Sequence, residues 1–243
     1  MSFSKAGWIW IFSFAEGRIL GRISKAKKGV ALSMRSSGRG KRGRRSYTVT
    51  VNGGRYKGKK IEIPAVDTTR SSKAILRGSL FDTIQFDIVG KSFIEVFAGS
   101  GSIAIEAVSR GAEHAWCMER DRFVYDILVS NVENISPGSF TTVFGDSFEL
   151  FESVYERARR EGRGIYFYFD PPFDIRDGME EIYDKCLSLM ETIEPESCEM
   201  VVVEHMSAKE MPEEVGSLRK SRSRRFGKSS LSYYIPHKRG GDG

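Results

Sequence analysis

The chain has 243 residues, of which 40% are hydrophobic, and it carries a formal net charge of +6. This length and composition leave room for one large α/β domain with a real hydrophobic core, plus a small additional element. The three cysteines are widely spaced and odd in number, which argues against a disulfide framework and indicates a reducing compartment. None of them has the neighbours of a zinc site, so no metal is expected.

The charges are segregated along the chain. Residues 1–60 contain 16 Lys and Arg against one acidic residue, residues 61–216 contain 14 against 30, and residues 217–243 contain 8 against one. Basic ends on an acidic middle favour a polyanionic partner that the ends contact. Solvated basic tails are the alternative interpretation.

Residues 1–45 are predicted to form a basic, flexible extension. Its apolar run, residues 8–14, is too short to span a bilayer, so no membrane association is expected. No clear cleavage site marks a secretory signal, and a cytoplasmic location is the default expectation. The scarcity of acidic residues also fits an organelle transit peptide, and a true start at Met34 is a third interpretation.

A hairpin and a helix are predicted next. Tyr47, Val49 and Val51 alternate with polar residues, and Asn52-Gly53-Gly54 before the following run, 55–63, is typical of a tight hairpin turn. A helix is predicted over residues 73–84. Its apolar face would contain Ile75, Leu76, Leu80, Phe81 and Ile84. Lys57, Lys59 and Lys60 on the hairpin could meet phosphates. Arg70 and Arg77 stand apart from the apolar face of the helix and could face a substrate, and solvated surface arginines are the alternative.

A short apolar run that ends in a glycine-rich turn, SFIEVFAGSG at residues 92–101, organises the rest of the chain. A helical pattern follows at once, and strand, glycine turn and helix together make room for a ligand at the carboxyl end of a strand. Gly99 and Gly101 allow a tight bend and a close approach of the backbone to that ligand. The spacing Gly99-x-Gly101-x-x-Ala104, with Glu119 twenty residues on, also fits a dinucleotide fingerprint, so NAD remains an alternative at this point.

Alternating strands and helices continue to the end. Strands are predicted at 114–118, 140–144, 165–169 and 200–203, followed by an antiparallel pair at 218–226 and 229–235. Glu119 at the end of the second strand is placed to take ribose hydroxyls. Asp146 after the third is placed to accept an adenine amino group or to cap a helix. The pattern predicts a mostly parallel α/β sheet with helices on both faces.

The motif Asp170-Pro171-Pro172-Phe173 after a buried strand favours a methyl donor over NAD. An exocyclic amine of a nucleobase is a poor nucleophile, because its lone pair is delocalised into the ring. The Asp170 carboxylate and the Pro171 carbonyl could accept its two N–H groups and aim the lone pair, with Pro172 fixing the backbone. Phe173 could stack on the base. An ordinary strand followed by a proline turn is the alternative.

By these motifs the chain resembles the RsmD-like bacterial methyltransferases, from about Tyr47 to Tyr234. The matching stretches are GGRYKGKKIEIP, TRSSKAILRGSLF, FIEVFAGSGSIAIEAVSRGA, FDPPF and RRFGKSSLSYY. The resemblance implies a class I, Rossmann-like methyltransferase fold with a mostly parallel seven-stranded sheet, an antiparallel C-terminal hairpin and a small N-terminal hairpin and helix. It also implies methyl transfer from S-adenosylmethionine to the N2 amine of one guanine in small-subunit ribosomal RNA, free or in a partly assembled subunit.

The resemblance assigns roles to individual residues. The implied cofactor-binding residues are Glu95, Phe97, Ala98, Gly99, Ser100, Gly101, Glu119, Arg120, Asp146, Ser147 and Asp170. The implied catalytic residues are Asp170, Pro171, Pro172 and Phe173. Glu95 stands where the family usually has Asp, and Ser71-Ser72 and Gly78 also depart from its pattern.

These inferences divide the chain into a basic extension (1–45), an RNA-facing hairpin and helix (46–88) and a catalytic domain (89–243). A monomer is the default expectation. Two other functions stay open: an adenine-N6 methyltransferase acting on RNA or DNA, which would use the same acceptor geometry, and a non-catalytic RNA-binding factor with the same fold.

Overall fold

The computed structural model describes residues 46–65, 70–172 and 181–237. The bounds of the strands are β1 Ser46–Thr50, β2 Lys60–Pro64, β3 Ser92–Glu95, β4 His114–Glu119, β5 Phe140–Phe144, β6 Ile165–Phe169, β7 Cys198–Met206, β8 Glu214–Val215, β9 Leu218–Phe226 and β10 Ser229–Pro236. The bounds of the helices are α1 Arg70–Ile84, α2 Ser102–Ser109, α3 Arg122–Ile135, α4 Ser147–Arg159 and α5 Ile182–Glu191.

Eight strands form one sheet in the order β5-β4-β3-β6-β7-β10-β9-β8. The first five in this order are parallel, and the last three continue it antiparallel. The sheet has one strand more than expected, because the two-residue strand β8 pairs with the start of β9. Chain order runs outward in both directions from β3, so a crevice opens where β3 and β6 end. Ligands of open α/β sheets bind at such a reversal point.

Helices cover both faces of the sheet. On one face α1, α2 and α3 pack with the β1–β2 hairpin around the sheet residues Phe93, Ala115 and Tyr168. On the other face α4 and α5 pack on Phe167 and Val203. A mostly parallel sheet is normally covered on both sides in this way, which explains why its strands are apolar on both faces.

The β1–β2 hairpin lacks the tight turn that was expected at Asn52-Gly53-Gly54. The ladder stops at the pair Thr50 and Lys60, and residues 51–59 form a longer loop. This loop packs against the end of α2, where the Ser109 carbonyl accepts from Arg55 N at 2.6 Å. A Cβ on Gly54 would lie 1.8 Å from that carbonyl oxygen, so the glycine serves close packing against a helix and not a hairpin turn.

Two expectations for α1 were also wrong. Ile75, assigned to its apolar face, is 63% exposed. Arg77, expected to stand apart from that face, is buried, and its Nη2 donates to the Thr50 carbonyl at 3.2 Å. Both errors have the same cause. Helix α1 packs against the hairpin as well as the sheet, so its buried side includes Arg77 and excludes Ile75.

Asn131 on α3 joins the hairpin to the glycine turn. Its Nδ2 donates to the carbonyls of Glu62 at 2.8 Å and Ser100 at 3.0 Å, and its Oδ1 accepts from Glu62 N at 2.8 Å. One buried amide therefore holds β2 and the turn at residues 98–101 in a fixed relation, since an unpaired buried polar group is costly.

We expect Asn131→Ala to lower the free energy of unfolding by about 2 kcal/mol, because it leaves partly buried backbone groups of Glu62 without partners. Asn134→Ala, an exposed change on the same helix, is the control and should cost less than about 0.5 kcal/mol. Urea denaturation of both variants measures this. Equal effects would contradict the assigned role of Asn131.

Candidate functional site

A cavity of about 600 Å³ opens at the carboxyl ends of the parallel strands, and α1 and the hairpin form its outer wall. Most residues singled out in the sequence line it. They are Glu95, Phe97, Ala98, Gly99, Ser100, Glu119, Arg120, Asp146, Ser147, Asp170, Pro171, Pro172 and Arg77. The structure thus brings together residues that lie up to 95 positions apart in the chain, as expected when parallel strands end at one edge of a sheet.

Some of the expected site residues lie elsewhere. Gly101 is behind the turn and does not line the cavity. Lys57, Lys59 and Lys60 are exposed on the hairpin and do not line it either. Phe173 lies outside the described residues, and of Arg70 only the backbone is described, as the first residue of α1. The roles proposed for these residues stay predictions.

The glycine turn needs both of its glycines, for different reasons. Gly99 and Gly101 have φ angles of 53° and 76°, the left-handed region that other residues rarely adopt. A Cβ on Gly101 would lie 2.5 Å from Leu128 Cδ1, so this buried side chain of α3 would have to move. A Cβ on Gly99 would meet nothing within 4 Å, so this glycine leaves open space beside the backbone in the cavity wall.

Glu95 at the end of β3 replaces the missing cap of α2. The helix begins after Gly101, which has no side chain to cap it, and Glu95 Oε2 accepts from Ala104 N at 2.9 Å instead. Burial raises the pKa of Glu95 to about 8, although the hydrogen bonds from the helix amides favour its charged form. The carboxylate thus supports the glycine turn from behind while it lines the cavity.

Glu119 at the end of β4 holds the glycine turn from the other side. Its Oε2 accepts from Gly99 N at 2.9 Å and its Oε1 accepts from Asp121 N at 2.6 Å. Burial raises its pKa, and these backbone hydrogen bonds oppose the rise. A carboxylate offers about four acceptor positions. Glu119 can therefore hold the turn and still accept from a pair of ligand hydroxyls.

Asp146 is a helix cap, one of its two expected roles. Its Oδ1 accepts from Phe148 N at 2.9 Å at the start of α4, and its Oδ2 lies 3.5 Å from Arg120 Nη1. Ser147 is turned inward, where its hydroxyl donates to the Val96 carbonyl. Only the loosely held Oδ2 of Asp146 remains for a ligand amino group, so the capping role and the expected contact with adenine are compatible.

The most strongly constrained part of the site was not foreseen. Lys73 on α1 places its Nζ 2.8 Å from Asp170 Oδ2 and 2.7 Å from Glu204 Oε1. The Glu204 side chain is fully buried, and its Oε2 accepts from the Tyr168 hydroxyl at 2.7 Å. One cation thus joins α1, the end of β6 and the end of β7.

The pKa shifts in this cluster agree with its geometry. Burial raises the pKa of Glu204 to about 6, the charge of Asp170 adds to the rise, and Lys73 opposes it. Burial alone would lower the pKa of Lys73, but the two carboxylates outweigh it and raise the pKa above its usual value. Lys73 therefore stays charged, and it keeps Asp170 in one place.

The cavity as a whole is acidic. Among the residues that the structure describes, six acidic side chains line it, those of Glu95, Glu119, Asp121, Asp146, Asp170 and Glu204, of which Glu95 retains its proton below about pH 8. The cations of this described lining are three, Lys73, Arg77 and Arg120. Such a lining favours a ligand that carries a positive charge beside neutral hydrogen-bonding groups, and it disfavours the pyrophosphate of a dinucleotide.

The fold and the cavity define the structural class of the protein. A mostly parallel sheet closed by an antiparallel pair, with a glycine turn after its central strand and acids at the ends of the next two, is the class I methyltransferase fold. A solved structure described as "Putative methyltransferase yhhF from Escherichia coli" superposes with a TM-score of 0.62 at 23% identity, covering 79% of this chain and 99% of that one. The expected fold class is confirmed.

Sequence comparisons identify the family. The family model described as Conserved hypothetical protein 95 matches residues 49–235. "Putative rRNA methyltransferase YlbH" of Bacillus subtilis is 30% identical over 187 residues, 76% of this chain and 97% of that protein. "Ribosomal RNA small subunit methyltransferase D" of Escherichia coli is 28% identical over 128 residues, 53% of this chain and 62% of that protein. The chain belongs to this family, and its resemblance to the RsmD-like methyltransferases is confirmed.

Two features are absent from the described residues, which are 46–65, 70–172 and 181–237. None of their helices combines the length and the apolar character that a membrane span requires. No group of three or more His, Cys, Asp or Glu side chains among them is arranged to hold a metal ion.

The raised pKa of Glu95 predicts a pH dependence of stability. Its pKa is about 8 in the folded chain and 4.5 without the fold, so the folded state retains a proton that the unfolded state has released. The free energy of unfolding should therefore fall as the pH rises from 4.5 to 8 and then level off. Glu95→Gln, which can still accept from Ala104 N, should lose less stability over this window.

Urea denaturation at about pH 5 and about pH 8 checks this expectation. The control is Glu149→Gln on the exposed side of α4, which should keep the wild-type pH dependence. If wild type and Glu95→Gln lose stability in parallel, Glu95 does not titrate in this range.

Proposed function

We propose that the protein transfers a methyl group from S-adenosylmethionine to the exocyclic N2 amine of a guanine in small-subunit ribosomal RNA. The observation that carries the proposal is the position of Asp170-Pro171-Pro172 in the wall of an acidic cavity that begins at a glycine turn. Family membership and relatives named as ribosomal RNA methyltransferases support the reaction class. Within this class we propose guanine as the target base.

The cavity fits the cofactor on its own chemistry. When bound, S-adenosylmethionine supplies an electrophilic methyl group on a positively charged sulfur. Glu119 has acceptor capacity left for ribose hydroxyls, and Asp146 Oδ2 has capacity for an adenine amino group. Open space beside Gly99 leaves the backbone approachable. Phe97 to Ser100 would hold the methionine part, and the carboxylates around them suit its positive charge.

Asp170 and Pro171 would hold the target amine. The Asp170 carboxylate and the Pro171 carbonyl are acceptors for its two N–H groups, so that the nitrogen lone pair turns toward the methyl group. Lys73 holds the carboxylate in place through their ion pair, and Glu204 and Tyr168 fix Lys73. The carboxylate can also take the proton that the amine loses.

Arg77 favours guanine over adenine. Arg77 is buried and is one of the residues that line the cavity, and within the part of the chain that the structure describes its Nε has no hydrogen-bond partner. Arginine has donors only, and these match the O6 and N7 acceptors of guanine, whereas adenine presents a donor in place of O6. In this proposal residues 46–88 face the RNA and residues 89–243 carry the chemistry.

Methyl transfer is tested with purified protein, labelled S-adenosylmethionine and small-subunit ribosomal RNA, both as free RNA and in partly assembled subunits, from cells that lack the homologous enzyme. Mass spectrometry of the digested nucleosides should find N2-methylguanosine. Asp170→Ala should lower the rate by on the order of a hundredfold or more, while cofactor binding survives. Asp184→Ala, at an exposed position of α5, is the matched control and should leave the rate unchanged.

The outcomes separate the competing functions. N6-methyladenosine in place of N2-methylguanosine would refute the guanine assignment and favour the adenine enzyme. Failure to bind S-adenosylmethionine in a folded protein would favour the non-catalytic RNA-binding factor. Loss of cofactor binding together with activity in Asp170→Ala would contradict the role given to Asp170.

A further inference from the structure

Strand β9 carries cations that pair with carboxylates and cations that do not. In its first half Arg219 Nη2 lies 2.9 Å from Glu214 Oε1, and Lys220 Nζ lies 2.7 Å from Glu213 Oε1. In its second half, Arg222 and Arg224 have no carboxylate within ion-pair distance among the residues that the structure describes. The first pair is neutralised, whereas the second pair, which we call the β9 arginine pair, keeps its full charge.

Both side chains of the β9 arginine pair are held on one face of the sheet. The Arg222 guanidinium lies over the Tyr233 ring, 4.5 Å from its centroid. Arg224 Nη1 donates to Ser79 Oγ on α1 at 3.1 Å. Residues two apart in a strand project to the same side, and here that side is the one that α1 covers. The pair therefore lies next to the helix that forms the wall of the cavity.

The strand register places this pair close to the proposed target site. Arg224 pairs with Leu231, and Leu231 pairs with Glu204 on β7. Neighbouring strands are about 4.8 Å apart, so the backbones of Arg224 and Glu204 are separated by about 10 Å. Glu204 contacts Lys73, which contacts Asp170. Nucleotides that flank a base inserted beside Asp170 could span this distance, and enzymes that act on a base commonly contact its flanking nucleotides.

The guanidinium groups are prepared for an anion. Stacking on Tyr233 orders the plane of Arg222 and leaves N–H groups at its edge for an acceptor, and arginine binds phosphate with two parallel hydrogen bonds. The alternative is a protective role, because cations on an exposed strand edge discourage pairing with another chain. That role needs charge alone and no particular partner.

We propose that Arg222 and Arg224 bind the phosphate backbone of the RNA that flanks the target nucleotide. The inference rests on the proposed function for the identity of the RNA. It adds a contact surface at the opposite end of the sheet order from β4 and β5, and it names residues in a segment for which the charge pattern favoured only a general contact with a polyanion.

The test compares two double variants by fluorescence anisotropy with a labelled fragment of small-subunit ribosomal RNA, over about 50 to 200 mM salt. Arg222→Gln/Arg224→Gln removes the β9 arginine pair. Arg157→Gln/Arg160→Gln removes the same charge from two exposed positions, one in the last turn of α4 and one directly after it, and α4 covers the opposite face. Because each phosphate contact to a single strand contributes about 0.7 to the salt slope, the first variant should lower the slope by about 1.4 and weaken binding on the order of tenfold.

The control variant should leave both the slope and the affinity near the wild-type values. Equal losses of RNA affinity in the two variants would mean that net charge alone acts. No loss of affinity in either variant would mean that the β9 arginine pair does not contact RNA. Either result overturns the proposal. Methyl transfer by the wild-type chain is measured on the same RNA. Its absence would refute the proposed function, while the comparison of binding constants would still decide the role of the arginine pair.

Discussion

The Lys73 ammonium between Asp170 and Glu204 is the interaction on which the rest of the site depends. A fully buried carboxylate such as Glu204 is costly to desolvate, and it is tolerated here because Lys73 and the Tyr168 hydroxyl satisfy it. The same lysine reaches the residue that begins the DPP motif. Helix α1 is thereby tied to the carboxyl ends of β6 and β7, and the wall that it forms has a fixed position relative to Asp170.

Charge is arranged for two kinds of ligand. The acidic residues of the middle segment converge inside the cavity, where they suit a positively charged cofactor. Cations without a carboxylate at ion-pair distance among the described residues lie outside it, on the hairpin at Lys57, Lys59 and Lys60 and on β9 at Arg222 and Arg224. This separation accounts for part of the segregation in the sequence, and in the proposed function it lets the domain attract RNA without placing phosphate-binding cations beside the methyl donor.

Local signals predicted much of this structure. The strands at 140–144 and 165–169 were predicted with their exact bounds, because continuous apolar runs mark them. The acidic residues that follow the strands lie in one cavity, as expected when parallel strands end at one edge of a sheet. The prediction of a tight hairpin turn at Gly53-Gly54 was wrong, because these glycines pack against a helix that is distant in the chain. Lys73 and Glu204 were missed because 131 residues separate them. A glutamate in the apolar run VVVEH was the available signal, since a buried acid requires a cation.

The most direct measurement of the central claim is the pH dependence of single-turnover methyl transfer by Lys73→Met. Lys73 opposes the rise in the pKa of Glu204, so without Lys73, Glu204 should take up a proton at higher pH, and the rate of the variant should depend on pH differently from that of wild type. The rate at neutral pH should fall on the order of a hundredfold as Asp170 loses its support. Lys185→Met, at an exposed site on α5, should change neither. A Lys73→Met profile that superposes on the wild-type curve would contradict the claim that this lysine fixes the site.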